Sequence, residues 1–159
     1  MPQTIINVEV GSLYIADDFS VNNKTTLNEL KTYFGVERLK VELAYKTYQN
    51  ATLYDLKIRD RYFTMTFYFD EGSLTHINFY PRNEKINNSS WDNFNPDADR
   101  DYYINWLAAQ LGDTKKFKWD LNHAGRHYSF SFPWGNVGVY YDFKGGTYSC
   151  VMGFGALVF

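Results

Sequence analysis

The chain has a single cysteine, Cys150, among 159 residues, so no internal disulfide can form. That fits a reducing compartment. It also lacks a basic footprint. Sixteen Lys and Arg are set against eighteen Asp and Glu for a net charge of −2, and the densest basic run is Lys115, Lys116 and Lys118. Nucleic-acid binding needs a cationic face, so composition argues against it. No stretch approaches the roughly 20 apolar residues that span a bilayer. The opening residues Met1-Pro2-Gln3-Thr4-Ile5-Ile6-Asn7 contain no positive leader followed by an apolar run. These absences predict a cytoplasmic protein with neither a nucleic-acid nor a membrane partner.

Aromatic side chains are what the sequence has in excess. Fourteen Tyr, 13 Phe and 4 Trp make up 19% of it, and apolar residues reach 45%. Aromatics favour strands and dominate binding surfaces, so the excess fits both a β-rich core and a docking face. With charged residues at 21%, the chain has the composition of one folded domain, or of two small halves sharing a core.

Periodicity divides the chain. Val8 to Ile15 reads as a strand around Gly11. Thr26-Leu27-Asn28-Glu29 is a capping box, and Leu27, Leu30 and Phe34 supply the apolar stripe of a helix over about 26–34 that ends at Gly35. The period then drops to two. Leu39, Val41, Leu43 and Tyr45, then Tyr54, Leu56 and Ile58, then Phe63, Met65, Phe67 and Phe69, then Leu74 to Tyr80 predict four strands, with turn chemistry at Asp70-Glu71-Gly72-Ser73. Pro81 to Pro96 is a polar connector holding Trp91 and Phe94. Asn95-Pro96 opens a second helix carrying Tyr103, Leu107 and Leu111 and ending at Gly112. Phe117, Trp119 and Leu121, then Tyr128, Phe130 and Phe132, then Val137, Val139, Tyr141 and Phe143, and finally Tyr148, Cys150, Met152 and Phe154 give four more strands. The expectation is an α+β fold of two helix-plus-four-strand antiparallel units in tandem, over residues 1–86 and 87–159, with both helices packed on one side of the sheet or sheets.

Catalytic signatures are scarce. His123 and His127 flank Gly125, which suggests a turn and not a helix face, so metal-ligand spacing fails. Cys150 falls on the apolar phase of its strand, where a thiol is inert. Gly153-x-Gly155 lacks the strand–loop–helix setting of a phosphate cradle. No cofactor or metal is expected. Binding is better supported. If Phe63, Met65, Phe67 and Phe69 face the helices, then Tyr62, Thr64, Tyr68 and Asp70 face away. His76, Asn78 and Tyr80 take that same outward phase, and so do His127, Ser129, Ser131, Trp134 and Tyr140. The candidate partner-binding residues are therefore Tyr62, Tyr68, His76, Tyr80, His127, Trp134 and Tyr140, a mixture of aromatic and polar groups suited to gripping a protein.

This layout resembles the β-lactamase inhibitor protein family, whose concave sheet clasps a target enzyme. The run Phe132-Pro133-Trp134-Gly135-Asn136-Val137, followed by Tyr141-Asp142-Phe143-Lys144-Gly145-Gly146, looks like that of small cytoplasmic bacterial immunity proteins encoded beside toxins. The resemblance implies a non-enzymatic inhibitor that occludes a cognate toxin or effector. The rival expectations are a small-ligand carrier, an enzyme assembled from His76, His127 and Asp142, and a module that homodimerises through its aromatic sheet.

Overall fold

The computed structural model describes residues 4–42, 45–85, 95–112, 120–122 and 127–155. The expectations placed on Leu43, Trp91, Phe94, Phe117, Trp119 and His123, and the boundary at 86/87, lie outside them. The described chain runs β1 (Ile6–Asn7), β2 (Ser12–Ala16), β3 (Phe19–Val21), α1 (Leu27–Phe34), β4 (Leu39–Val41), β5 (Tyr48–Ile58), β6 (Arg61–Asp70), β7 (Ser73–Arg82), α2 (Pro96–Leu111), β8 (Asp120–Asn122), β9 (His127–Phe132), β10 (Gly135–Asp142) and β11 (Thr147–Phe154).

The strands overturn the expected tandem of helix-plus-four-strand units. The fold is mostly β. Strands β4 to β11 form one eight-stranded antiparallel sheet in the order β4-β5-β6-β7-β11-β10-β9-β8, and β1 to β3 form a separate three-stranded sheet. The join is the antiparallel pairing of β7 with β11, Cys150 opposite Phe79 and Gly153 opposite His76. It links residues far apart in sequence, and no local pattern announces it. Nor does Val8 to Ile15 make one strand. Gly11, at φ 70°, takes the left-handed region in a turn between β1 and β2 that is closed by its N–H on the Asn7 carbonyl at 2.9 Å.

Local chemistry explains the other elements. The Thr26 hydroxyl accepts from the Glu29 N–H at 3.1 Å while the Glu29 carboxylate accepts from the Thr26 N–H, and this reciprocal cap starts α1. Asn95 caps α2 by accepting from the Ala98 N–H at 3.3 Å, with Pro96 as its first residue. Glu71 and Gly72, both at positive φ, make the two-residue turn between β6 and β7, a mirror-type turn whose twist suits a hairpin.

The core lies on one face of the large sheet. Phe63, Met65, Phe67, Ile77, Phe79, Phe130, Val137, Val139, Cys150 and Met152 are buried there with Tyr103, Trp106 and Leu107 of α2. Trp106 meets Phe63 and Phe79 edge-on at 5.6 and 5.8 Å. The pairing of β7 with β11 is confined to His76–Phe79 and Cys150–Gly153. Beyond Phe79, Arg82 reaches α2, pairing with Asp99 at 3.1 Å and lying 5.7 Å over the Tyr103 ring.

Candidate binding face

The opposite face of the same sheet is built in register. One row of paired residues runs Asn50, Tyr68, His76, Gly153, Asn136, Ser131 across β5, β6, β7, β11, β10 and β9. The next row runs Thr52, Thr66, Asn78, Val151, Gly138, Ser129. Alternation explains the contrast with the core. In β11, Tyr148, Cys150 and Met152 go to the apolar side, and Ser149, Val151 and Gly153 go to this one. The result is an aromatic and amide surface over a floor of small residues.

Strands β9 and β10 approach each other closely at Gly138. A Cβ on Gly138 would lie 2.3 Å from the Tyr128 carbonyl oxygen and 2.8 Å from Ser129 Cα, so β9 closes over β10 only because residue 138 has no side chain. His127, Ser129 and Tyr140 are buried although they face away from α2. A cleft of about 460 Å³ has Asn78, His127, Tyr140, Asp142, Ser149 and Val151 among its lining residues.

The seven sequence candidates separate. Tyr68 and His76 meet as a stacked pair, ring centroids 4.3 Å apart at an interplanar angle of 8°. His127 and Tyr140 meet edge-on at 5.0 Å beside the cleft, and the His127 Nε2 lies 3.1 Å from the Tyr141 carbonyl. Tyr80 sits where β7 and β11 part; its hydroxyl bonds Thr147 and its ring lies 6.3 Å from that of Tyr103. Tyr62, at the far end of β6, is flanked by the Lys57 and Lys85 ammonium groups, each 5.8 Å from its ring.

Trp134 does not share the face. It follows Phe132 into the β9–β10 turn, stacks on that ring at 5.2 Å, and packs against the core side. Its indole N–H donates to the Val8 carbonyl at 2.6 Å, and the ring lies where a Cβ on Gly11 would stand, 2.5 Å from Cδ2. Trp134 therefore fastens the N-terminal sheet to the large one. Simple alternation placed it outward because a turn residue has no strand phase.

Burial holds two titratable groups of the sheet neutral. Burial lowers the His76 pKa to about 4, so its imidazole is neutral at pH 7. Burial likewise pushes the Cys150 thiol well above its ordinary value and leaves it protonated. Desolvation raises the Tyr68 phenol, and the carboxylates of Glu42 and Asp142 add to it, which places both acids within electrostatic reach of that hydroxyl. Asn50, Asn78 and Asn136 each bury an amide oxygen with no hydrogen-bond partner in the chain. Periodicity put Asn78 outward but gave it no role, and Asn50 and Asn136 were not among the candidates because only cross-strand register brings them into this row. Among the described residues, no three His, Cys, Asp or Glu side chains converge on a metal site, and no helix is long and apolar enough to cross a membrane. No protein-family model, curated protein or solved structure matches the chain.

Proposed function

We propose that this chain is an immunity-type inhibitor that binds a cognate toxin or effector protein through the sheet face opposite α2 and blocks it stoichiometrically. The observation that carries the reading is the composition of that face. The stacked pair Tyr68 on His76 stands beside buried amide oxygens that have no partner within the chain, with the buried pair Tyr140 on His127 behind it. A buried acceptor without a donor costs roughly 1–3 kcal/mol, a cost that a partner's donors would remove on binding. Tyrosines are frequent energetic anchors of interfaces. Glu42 and Asp142 bias the face toward a basic partner and would speed its approach. Such a complex would bury about 1,200–2,000 Å² in total.

The test is co-expression with the product of the neighbouring gene, followed by titration of the purified pair. We expect a one-to-one complex that abolishes the toxin's activity and is weakened at least about 30-fold by Tyr68→Ala. A partner that binds the Tyr68→Ala variant with full affinity would rule out this face. The cleft itself favours a second reading. Its volume, about 460 Å³, is that of a small-molecule site, so the chain would be a carrier. Thermal shifts against a lipid and cofactor panel separate the two readings, because a carrier would be stabilised by a small molecule alone.

A further inference from the structure

We propose that a second copy of this chain pairs along β4, the two β4 strands running antiparallel about a two-fold axis at Val41 and joining two eight-stranded sheets into one. This dimer goes beyond the proposed function and does not depend on what binds the face away from α2.

The backbone supplies the first observation. Among the described residues, β4 has a strand neighbour on one side only, β5. Leu39, Lys40 and Val41 stand opposite Leu53, Thr52 and Ala51, and the Glu42 N–H donates to the Asn50 carbonyl at 2.9 Å. Hydrogen-bonding groups alternate in direction along an antiparallel ladder. Lys40 and Glu42 therefore bond toward β5, while Leu39 and Val41 aim their N–H and C=O groups outward. The Leu39 N–H is taken by the Gly35 carbonyl at 3.1 Å, on the side that this phase requires. Val41 is left with an outward donor and an outward acceptor. A second Val41, related by a two-fold axis, satisfies both reciprocally.

The side chains select the register. Lys40 and Glu42 are exposed and share the sheet face of Thr52 and Asn50. With the axis at Val41, Lys40 of each copy stands opposite Glu42 of the other, giving two pairs of opposite charge. An axis at Lys40 or at Glu42 would set like charges against each other. A lone lysine on an edge strand deters pairing, whereas lysine and glutamate two residues apart favour the self-complementary register. Val41 lies in phase with buried Leu39 on the core side of the sheet, yet it is 43% exposed; a second Val41 covers it. Five of the eight large apolar side chains exposed among the described residues are Val36, Val41, Tyr45, Tyr48 and Tyr54. All five lie on β4, close to it in sequence or on β5, so apolar exposure concentrates in this part of the chain. The axis closes the contact to a dimer and leaves β8, the other edge strand, out of it. Because it stands perpendicular to the sheet, the faces away from α2 point the same way in both copies. The pairing neutralises Glu42, and exposed Asp142 remains to attract a basic partner.

The experiment is sedimentation velocity of the intact chain over a concentration series reaching about 1 mM, with variants at exposed positions. The unaltered chain should show a reversible monomer–dimer equilibrium that weakens with added salt. Lys40→Glu and Glu42→Lys should each weaken the dimer at least about tenfold, because each change acts twice across the axis. An equimolar mixture of these two variants, one of them isotope-labelled, should recover a mixed dimer in native mass spectrometry, since two acids then face two lysines. Val41→Pro removes the outward donor, leaves the bonds to β5 in place and should hold the chain monomeric. A chain that stays monomeric across the series, a dimer indifferent to both charge changes, or a mixture without mixed dimers would overturn the proposal. So would a dimer abolished by Tyr68→Ala but kept by Val41→Pro, which would put the contact on the sheet face.

Discussion

The two faces of the eight-stranded sheet use the same strands and the same register to opposite ends. Toward α2, each row is filled by large apolar side chains that find partners inside the molecule, such as Phe63 and Phe79 against Trp106. Away from α2, the intervening residues are Asn, Thr, Ser, Gly, Tyr, His and Val151, and amide oxygens of Asn50, Asn78 and Asn136 are buried without a bond. The α2 face is closed by packing within the monomer, with the Tyr103 hydroxyl left unbonded, and the other face leaves three amide oxygens unbonded. Period-two alternation sorts residues by face, while the accounting of hydrogen bonds shows where buried polar atoms go unbonded.

The contrast can be broken most forcefully on the apolar side. Phe67→Ala, at a fully buried position, should cost about 3–5 kcal/mol in chemical denaturation. Tyr68→Ala, its neighbour on the other face, should cost less stability and most of the partner affinity. Gly11→Ala comes next. It adds a methyl where the Trp134 ring already stands, at a residue with φ 70°, and should destabilise the chain by roughly 1–3 kcal/mol, with increased hydrogen exchange in β1 and β2.

Acid offers a gentler probe. The folded chain holds the His76 pKa at about 4 against an unfolded value of 6.5, so the unfolded chain takes up the proton first as pH falls. Stability should be independent of this group above pH 6.5 and should decline as the pH drops from there through about 4. His76→Gln should remove that part of the decline in denaturation profiles recorded across the same range. The smallest effect is expected at the Tyr103 hydroxyl in the α2 contact. Tyr103 buries its phenol oxygen without a partner, and its pKa is raised mainly by desolvation. Tyr103→Phe should therefore leave stability unchanged or raise it by up to about 1 kcal/mol.

Much of this contrast was legible in the sequence. The alternation of Phe63, Met65, Phe67 and Phe69 with Tyr62, Thr64, Tyr68 and Asp70 reports the two faces directly, and the caps at Thr26 and Asn95 announce both helices. Pairing between distant strands was not legible. Nothing local in Leu74 to Tyr80 names β11 as its neighbour, so the tandem units suggested by the repeated pattern gave way to one continuous sheet. The candidate face was legible in part. Tyr68 with His76 and His127 with Tyr140 come together, but Trp134 does not join them, because its position depends on the path of a turn and on the glycine opposite it. Asn50 and Asn136 emerge only once register brings them into the row of Tyr68.

The proposed function seats the partner on the face away from α2. Hydroxyl-radical footprinting of tyrosines, with and without the toxin, addresses it most directly. Tyr68 should lose reactivity in the complex while Tyr33, exposed on α1, keeps it. Protection of Tyr33 with Tyr68 still reactive would contradict the account.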